Sequence, residues 1–271
     1  MNFKERQEII ANSRITSDYL KRFNRNAGII HLIQGVLMLT AGLALEFTRD
    51  LYTFYLKFEQ VSPGVFEIFP DPQTLFTVSY VGALLASFLL MSALAHFLIA
   101  YPLNKKYNNN LKRGFNPYRW YEYAFSSSVM IGFISLLFGI WDVWSILMIF
   151  ILNAMMIMFG YLMELLNQHT EKTNWMPFVL GCISGAIPWV VIVGYFIGST
   201  SGDATPPDFV YYIFFTQFFL FNIFAINMVL QYKGVGKWRD YLYGERVYII
   251  LSLAAKTILA WLAFGGIFQP Q

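Results

Sequence analysis

Seven stretches of mostly apolar residues, at 27–46, 75–101, 118–140, 145–166, 176–198, 209–232 and 246–268, constrain this chain more than any motif does. A bilayer-spanning helix needs about 20 such residues, and each stretch is bounded by charge, Pro or Gly clusters. Only helices and closed barrels satisfy every backbone group in hydrocarbon. The run lengths exclude a barrel, whose strands would alternate in segments of about ten. Composition agrees: 57% of residues are hydrophobic, 19% aromatic and only 13% charged. Soluble domains carry about 25% charge, so a soluble enzyme, a disordered chain and a nucleic-acid binder are excluded. A net charge of +3 implies no general anionic partner. Cys182 is the single cysteine, which rules out a disulfide framework and a cysteine-based metal site. Residues 1–26 hold six Lys/Arg and no apolar core, so no cleavable signal peptide is expected. The expected fold is an all-α membrane protein with seven transmembrane helices in a rhodopsin-like bundle.

Connections between the runs set the orientation. Fifteen Lys/Arg fall on one side, in 1–26, 102–117, 167–175 and 233–246, against Arg49 and Lys57 on the other. The N-terminus is therefore expected in the cytoplasm and the C-terminus outside, in a cell-membrane protein. Residues 1–26 form a basic cytoplasmic segment, and 27–271 form the helical domain. Its first outer loop, 47–74, is long for a bundle. There LYTFYLKFEQVSPGVFEIF alternates around Ser62-Pro63-Gly64, which predicts a β-hairpin. Such a hairpin covers the outer face or pairs with a second protomer; a partly ordered lid is the plain alternative.

Ionisable groups inside hydrocarbon are costly and usually functional. Lys256 stands ten residues into the seventh run, between LSLAA and TILAWLAFGG, too deep for easy snorkelling. A lysine so placed needs a counter-charge, a neutral form or conversion to an imine. Glu122, in RWYEYAFSSSVMIG on the third helix, is the candidate counter-charge. Arg119 precedes it on the same face, and Ser126 and Met130 continue that face. Ser252 lies one turn before Lys256 and offers a hydroxyl. The plain reading is an ion pair that locks two helices, although buried pairs stabilise little once desolvation is counted. Arg119 reads equally well as an interfacial snorkelling residue.

The strings RWYEYAFSSSVMI, HLIQ, SALAHFLI, FGYLMELL, GCISGAIPWV, LQYKGVGKW and GERVYIILSLAAKTILAW resemble the heliorhodopsins, the inverted-orientation branch of microbial retinal proteins. The resemblance runs through all seven helices. It implies that Lys256 carries all-trans retinal as a protonated Schiff base, with Glu122 as counterion. It places His31 and His96, with Arg119, in a polar cytoplasmic cluster able to accept a proton. It also favours Phe221, Met130, Asn153 and Gly160 as pocket residues, and a homodimer whose interface the outer hairpin helps to build.

Depth along the helices separates the polar groups. His31, His96, Arg119, Glu122, Glu164 and Ser252 fall in the cytoplasmic half. The outer segments 35–45, 75–85, 131–140, 190–198 and 257–268 contain no Asp, Glu, Lys, Arg or His. Proton transport needs a relay to both surfaces, and this one is one-sided. A polyene pocket should be apolar and aromatic; Pro188-Trp189 supplies a kink and a flat wall, and the sixth helix a row of phenylalanines. Any one aromatic, and each histidine, also reads as ordinary packing. No metal cluster, nucleophile elbow or P-loop is present, so no enzyme activity is expected. The basic, aromatic loop KGVGKWRDYLYGER suits anionic headgroups or a cytoplasmic partner. The expected function is photosensing with little or no net transport, signalling through the cytoplasmic face to an unidentified partner. A light-driven proton conductor and a membrane adaptor regulating an associated enzyme by light are the alternatives.

Overall fold

A computed structural model describes residues 3–44, 48–201 and 205–267 of the chain. Positions 45–47, the junction of the first apolar run with the loop, lie outside the described residues. So do position 268, the last of the seventh run, and the C-terminal residues after it.

Nine α-helices and one β-hairpin are present among the described residues. In chain order they are α1 (Phe3–Ala11), α2 (Ser17–Ala44), β1 (Arg49–Ser62), β2 (Val65–Val78), α3 (Val81–Ala100), α4 (Asn104–Lys112), α5 (Pro117–Leu137), α6 (Val143–Leu166), α7 (Met176–Thr200), α8 (Asp208–Lys233) and α9 (Tyr241–Ile267). Six of them, α2, α3, α6, α7, α8 and α9, are long and apolar enough to cross a membrane. α5 falls short of the others in apolarity because it carries Arg119, Glu122 and three consecutive serines. Those groups face inward: Arg119, Ser126 and Ser128 are buried, and α5 packs against α3, α6 and α8. The short helices α1 and α4 were not expected from the apolar runs, since neither is apolar along its length.

Local chemistry fixes several helix starts. Thr16 Oγ1 accepts from the Tyr19 amide at 3.1 Å as α2 begins. Asn116 caps α5 with Pro117 in its first turn, and Asp142 accepts from the Ser145 amide at 2.8 Å to start α6. Gly234, in the left-handed region at φ 65°, closes α8.

The hairpin is longer than the sequence pattern indicated. Antiparallel pairing runs from Ser62↔Val65 back to Arg49↔Val78, through a Pro63-Gly64 turn in which Gly64 takes φ 80°. Residues 75–78, placed at the start of the second helix from their apolarity, are therefore strand. Phe76 pairs with Leu51 and Val78 with Arg49, and the helix begins only at Val81. An apolar run ending in strand and beginning a helix carries no periodicity that marks the boundary. The hairpin base is anchored at the start of α6: the Tyr52 amide donates to the carbonyl of Trp141, just before the helix, at 2.8 Å, and Trp144 Nε1 donates to Thr53 Oγ1 at 2.8 Å. Beyond that base both faces of the hairpin are exposed.

α2 and α3 form the most intimate helix pair. A Cβ on Gly42 would stand 2.4 Å from Gly82 Cα, so only glycine at both positions lets the backbones cross there. The core then divides by chemistry. Toward the hairpin end the buried side chains are mostly apolar, among them Met38, Leu85, Phe88, Ile134, Phe138, Phe214 and Leu259, with Ser135 and Thr53 as uncharged exceptions. Toward the end that carries α1 and α4 the core holds buried charge.

Candidate functional site

Lys256 is 2% exposed and sits midway along α9, where the apolar and polar halves of the core meet. Its Nζ donates to Glu122 Oε1 on α5 at 2.7 Å and to Ser252 Oγ, one turn earlier on α9, at 3.0 Å. Ser92 of α3 donates to the same Glu122 oxygen at 2.6 Å. The Tyr123 ring lies beneath the ammonium, 5.2 Å from Nζ to the centroid. One acid, one base and two hydroxyls from three helices thus meet at that boundary.

A narrow cavity of about 50 Å³ begins at Lys256, lined by Tyr123, Ser127, Met130, Phe221, Phe224 and Ser252 among others. A larger one of about 460 Å³ shares Tyr123, Met156, Phe221 and Phe224 with it, and continues past Trp120, Gly160, Trp189 and Tyr248. The larger space falls in the range typical of small-molecule sites. Its walls are aromatic and apolar: Trp189 meets Phe214, Phe218 and Phe221 edge-on at 5.2–6.1 Å between centroids. Gly160 is filled from across by Trp120, whose ring would lie 2.5 Å from an added Cβ.

Of the residues singled out in the sequence, Met130, Gly160, Trp189, Phe221 and Ser252 line these cavities. Ser126 is buried one turn beyond Glu122 but lines neither. Asn153 also stands outside them; its Nδ2 donates to Ser127 Oγ at 2.8 Å and Ser128 Oγ at 3.0 Å, tying α6 to α5. His31 and His96 stack face to face, with centroids 5.6 Å apart and planes 12° apart. His96 Nδ1 is 2.8 Å from Asn24 Oδ1, whereas neither His31 nitrogen has a protein partner.

Arg119 is not beside the histidines. Its guanidinium pairs with two buried carboxylates, Glu164 on α6 and Glu245 on α9. It also lies against Trp120 and Tyr248, 4.6 and 4.1 Å from their ring centroids. Glu164 further accepts from Trp120 Nε1 at 2.7 Å, the Asn116 amide at 2.9 Å and the Tyr241 hydroxyl at 3.1 Å. Glu245 takes Asn116 Nδ2 at 2.7 Å and the Tyr107 hydroxyl at 3.2 Å. Both carboxylates are paired and hydrogen-bonded, as buried ions must be; of the guanidinium nitrogens only Arg119 Nε has no partner.

Sequence reasoning missed Glu245, Ser92, Asn24, Tyr107 and Asn116 as parts of this interior. Signals existed for two of them. Glu245 lies eleven residues before Lys256, about three helical turns and so on one face. Starting the seventh helix at 246 left it in a loop. Ser92 stands one turn before His96 on α3. Tyr107 carried no such signal, because it stands in a polar stretch between two apolar runs.

A search of curated proteins returned no match. A family model described as Heliorhodopsin matches residues 20–268, which takes in the interior just described and all but the ends of the chain. Spanning that much of the sequence, the match shows that the chain belongs to the heliorhodopsin family.

Proposed function

We propose that the protein is a light sensor in which retinal is bound covalently to Lys256, Glu122 serves as counterion, and signalling leaves through the cytoplasmic face with little or no net ion transport. The family is one of retinal-binding, light-responsive membrane proteins. The observation that carries the finer reading is the contact of Glu122 with Lys256, which itself lines an apolar, aromatic cavity. With the larger space that shares its walls, that cavity fits a long apolar aldehyde, and the amine stands where its carbonyl end would arrive. Met130, Trp189 and Phe221 would hold the polyene, with Tyr123 beneath the nitrogen. Retinal, all-trans in this reading, supplies light absorption and isomerisation. Glu122 balances the positive nitrogen, and Ser92 and Ser252 orient the pair.

The distribution of buried charge supports sensing over pumping. Among the described residues Arg6, His31, His96, Arg119, Glu164, Glu245 and Lys256 are the buried Lys, Arg, His and Glu side chains. All lie at the level of Lys256 or toward the α1 end. The other half of the core is the apolar cluster around Phe88, Ile134 and Leu259. A proton leaving Lys256 meets Glu122 first, at 2.7 Å, and in this reading the stacked His31 and His96 stand beyond it on the same side.

In this reading α5 crosses the membrane as well, which makes seven spans. Its polar residues are accommodated because they face the bundle and not lipid. The Lys/Arg bias supports a cytoplasmic position for the α1 end. The exposed apolar faces of the hairpin, with Phe54, Phe58, Phe66 and Ile68 each more than half exposed, suit a homodimer. Expression with added retinal tests the chemistry. A visible pigment that hydroxylamine bleaches, and that Lys256→Ala abolishes, is the expected result; a pigment that survives Lys256→Ala overturns it. Light-driven current across a membrane at neutral pH would favour the proton conductor instead.

A further inference from the structure

The short helix α4 is two-sided in an unusual way. Tyr107 is fully buried and Leu111 is 3% exposed, and these form its inner face. Lys105, Lys106, Asn109 and Lys112 are exposed, and fall within roughly one third of the helix circumference on the opposite side. No carboxylate among the described residues pairs with any of the three lysines. The inner face is wired to the candidate site. The Tyr107 hydroxyl donates to Glu245 at 3.2 Å and accepts from Asn24 Nδ2 at 3.4 Å; Asn24 Oδ1 in turn is 2.8 Å from His96 Nδ1, whose ring stacks on His31. Burial pushes the Tyr107 hydroxyl well above its ordinary range, so it stays a donor.

We propose that the outer face of α4, Lys105, Lys106 and Lys112, is the surface that receives an acidic segment of a cytoplasmic protein, and that Tyr107 couples its occupancy to the chromophore site. The proposal rests on the orientation and chromophore reading above. Charge complementarity selects the partner: three unpaired ammonium groups spread over about 10 Å of helix match a run of carboxylates. A membrane-anchoring helix lays apolar residues into lipid, whereas the apolar residues of α4 are turned into the protein and its outer face has none. A change in the hydrogen bonding of His96 reaches α4 through two side chains, Asn24 and Tyr107. By linkage, a partner bound in one state must also shift the balance between states.

The test uses retinal-reconstituted full-length protein in neutral phosphatidylcholine nanodiscs and a fluorescein-labelled decaglutamate peptide as probe. Binding is read by anisotropy in the dark and under illumination. The expected result is salt-sensitive binding that differs between dark and light. Replacing Lys105, Lys106 and Lys112 together by Gln should weaken it about tenfold or more. The same treatment of Lys21, Arg22 and Arg25 should leave it within about twofold. Tyr107→Phe should keep dark affinity and lose the light-dependent difference. Equal loss in both charge variants would show diffuse attraction and overturn the proposal, as would full affinity in the α4 variant. Displacement of the peptide by phosphatidylserine discs that depends on the α4 lysines would assign the surface to the membrane, also against it. Lys256→Ala should retain dark affinity; failure of the unsubstituted protein to form pigment, with that dark affinity intact, would count against the chromophore reading alone.

Discussion

Glu122 reaches Lys256 from α5 at 2.7 Å, and the oxygen that makes this contact also receives the Ser92 hydroxyl at 2.6 Å. One carboxylate oxygen thereby joins α3, α5 and α9. The two donors are unequal: both bonds are assisted by the carboxylate's charge, but only the Lys256 nitrogen also brings a full positive charge. Replacing Glu122 by Gln removes the negative charge beside the cationic nitrogen, whereas Ser92→Ala removes only a hydroxyl. The absorption band of the retinal-reconstituted protein should therefore move to longer wavelength in Glu122→Gln, by more than it moves in Ser92→Ala. Equal shifts in absorption spectra would show that Glu122 does not balance the chromophore charge.

Arg119 holds Glu164 and Glu245 in a site that is almost closed to solvent, with side-chain exposures of 3%, 0% and 2%. Removing the cation leaves two carboxylates buried without a counter-charge. Loss of one partner of a buried pair typically costs about 3–5 kcal/mol. Arg119→Gln should lower the thermal stability of the detergent-solubilised protein by that order, and more than either Glu164→Gln or Glu245→Gln, each of which leaves one complete pair. Thermal unfolding of the three variants checks the ranking.

The crossing of α2 and α3 sets the distance between His31 and His96. A methyl group on Gly42 would meet the Gly82 backbone, which has no rotamer by which to yield. Gly42→Ala should cost about 1–3 kcal/mol, as overpacking usually does. Gly194 on α7 has nothing within 4 Å of its ideal Cβ. Gly194→Ala should be neutral or stabilising by up to about 1 kcal/mol. Parallel unfolding curves would refute the packing argument if the two substitutions behaved alike.

His31 and His96 stack within reach of the polar side of Lys256, and His96 alone is held by Asn24. A positioned histidine typically accelerates proton transfer by about a hundredfold or more. Replacing both by Phe should slow the light-induced deprotonation step by that order while leaving the pigment formed. Flash photolysis with a pH-indicator dye measures it; unchanged kinetics would make the pair a packing feature.

Much of the molecule was legible in the chain itself. Runs of some twenty apolar residues can do little but cross a membrane as helices, because hydrocarbon offers no partner for an unbonded amide. Lys256 and Glu122 stood out for the same reason: a charge placed where solvent cannot follow must find another charge. The Pro63-Gly64 turn and its alternating flanks announced a hairpin, since only glycine takes φ 80° without strain. What the chain did not disclose was pairing across long separations. Nothing local says that Arg119 turns from its neighbour Glu122 to Glu164 and Glu245, 45 and 126 residues away. Nor does a polar loop reveal that Tyr107 reaches into the core, or that strand pairing claims residues 75–78 from an apolar run. Burial and partner choice depend on how the helices are packed against one another, and that arrangement exists only once the chain is folded.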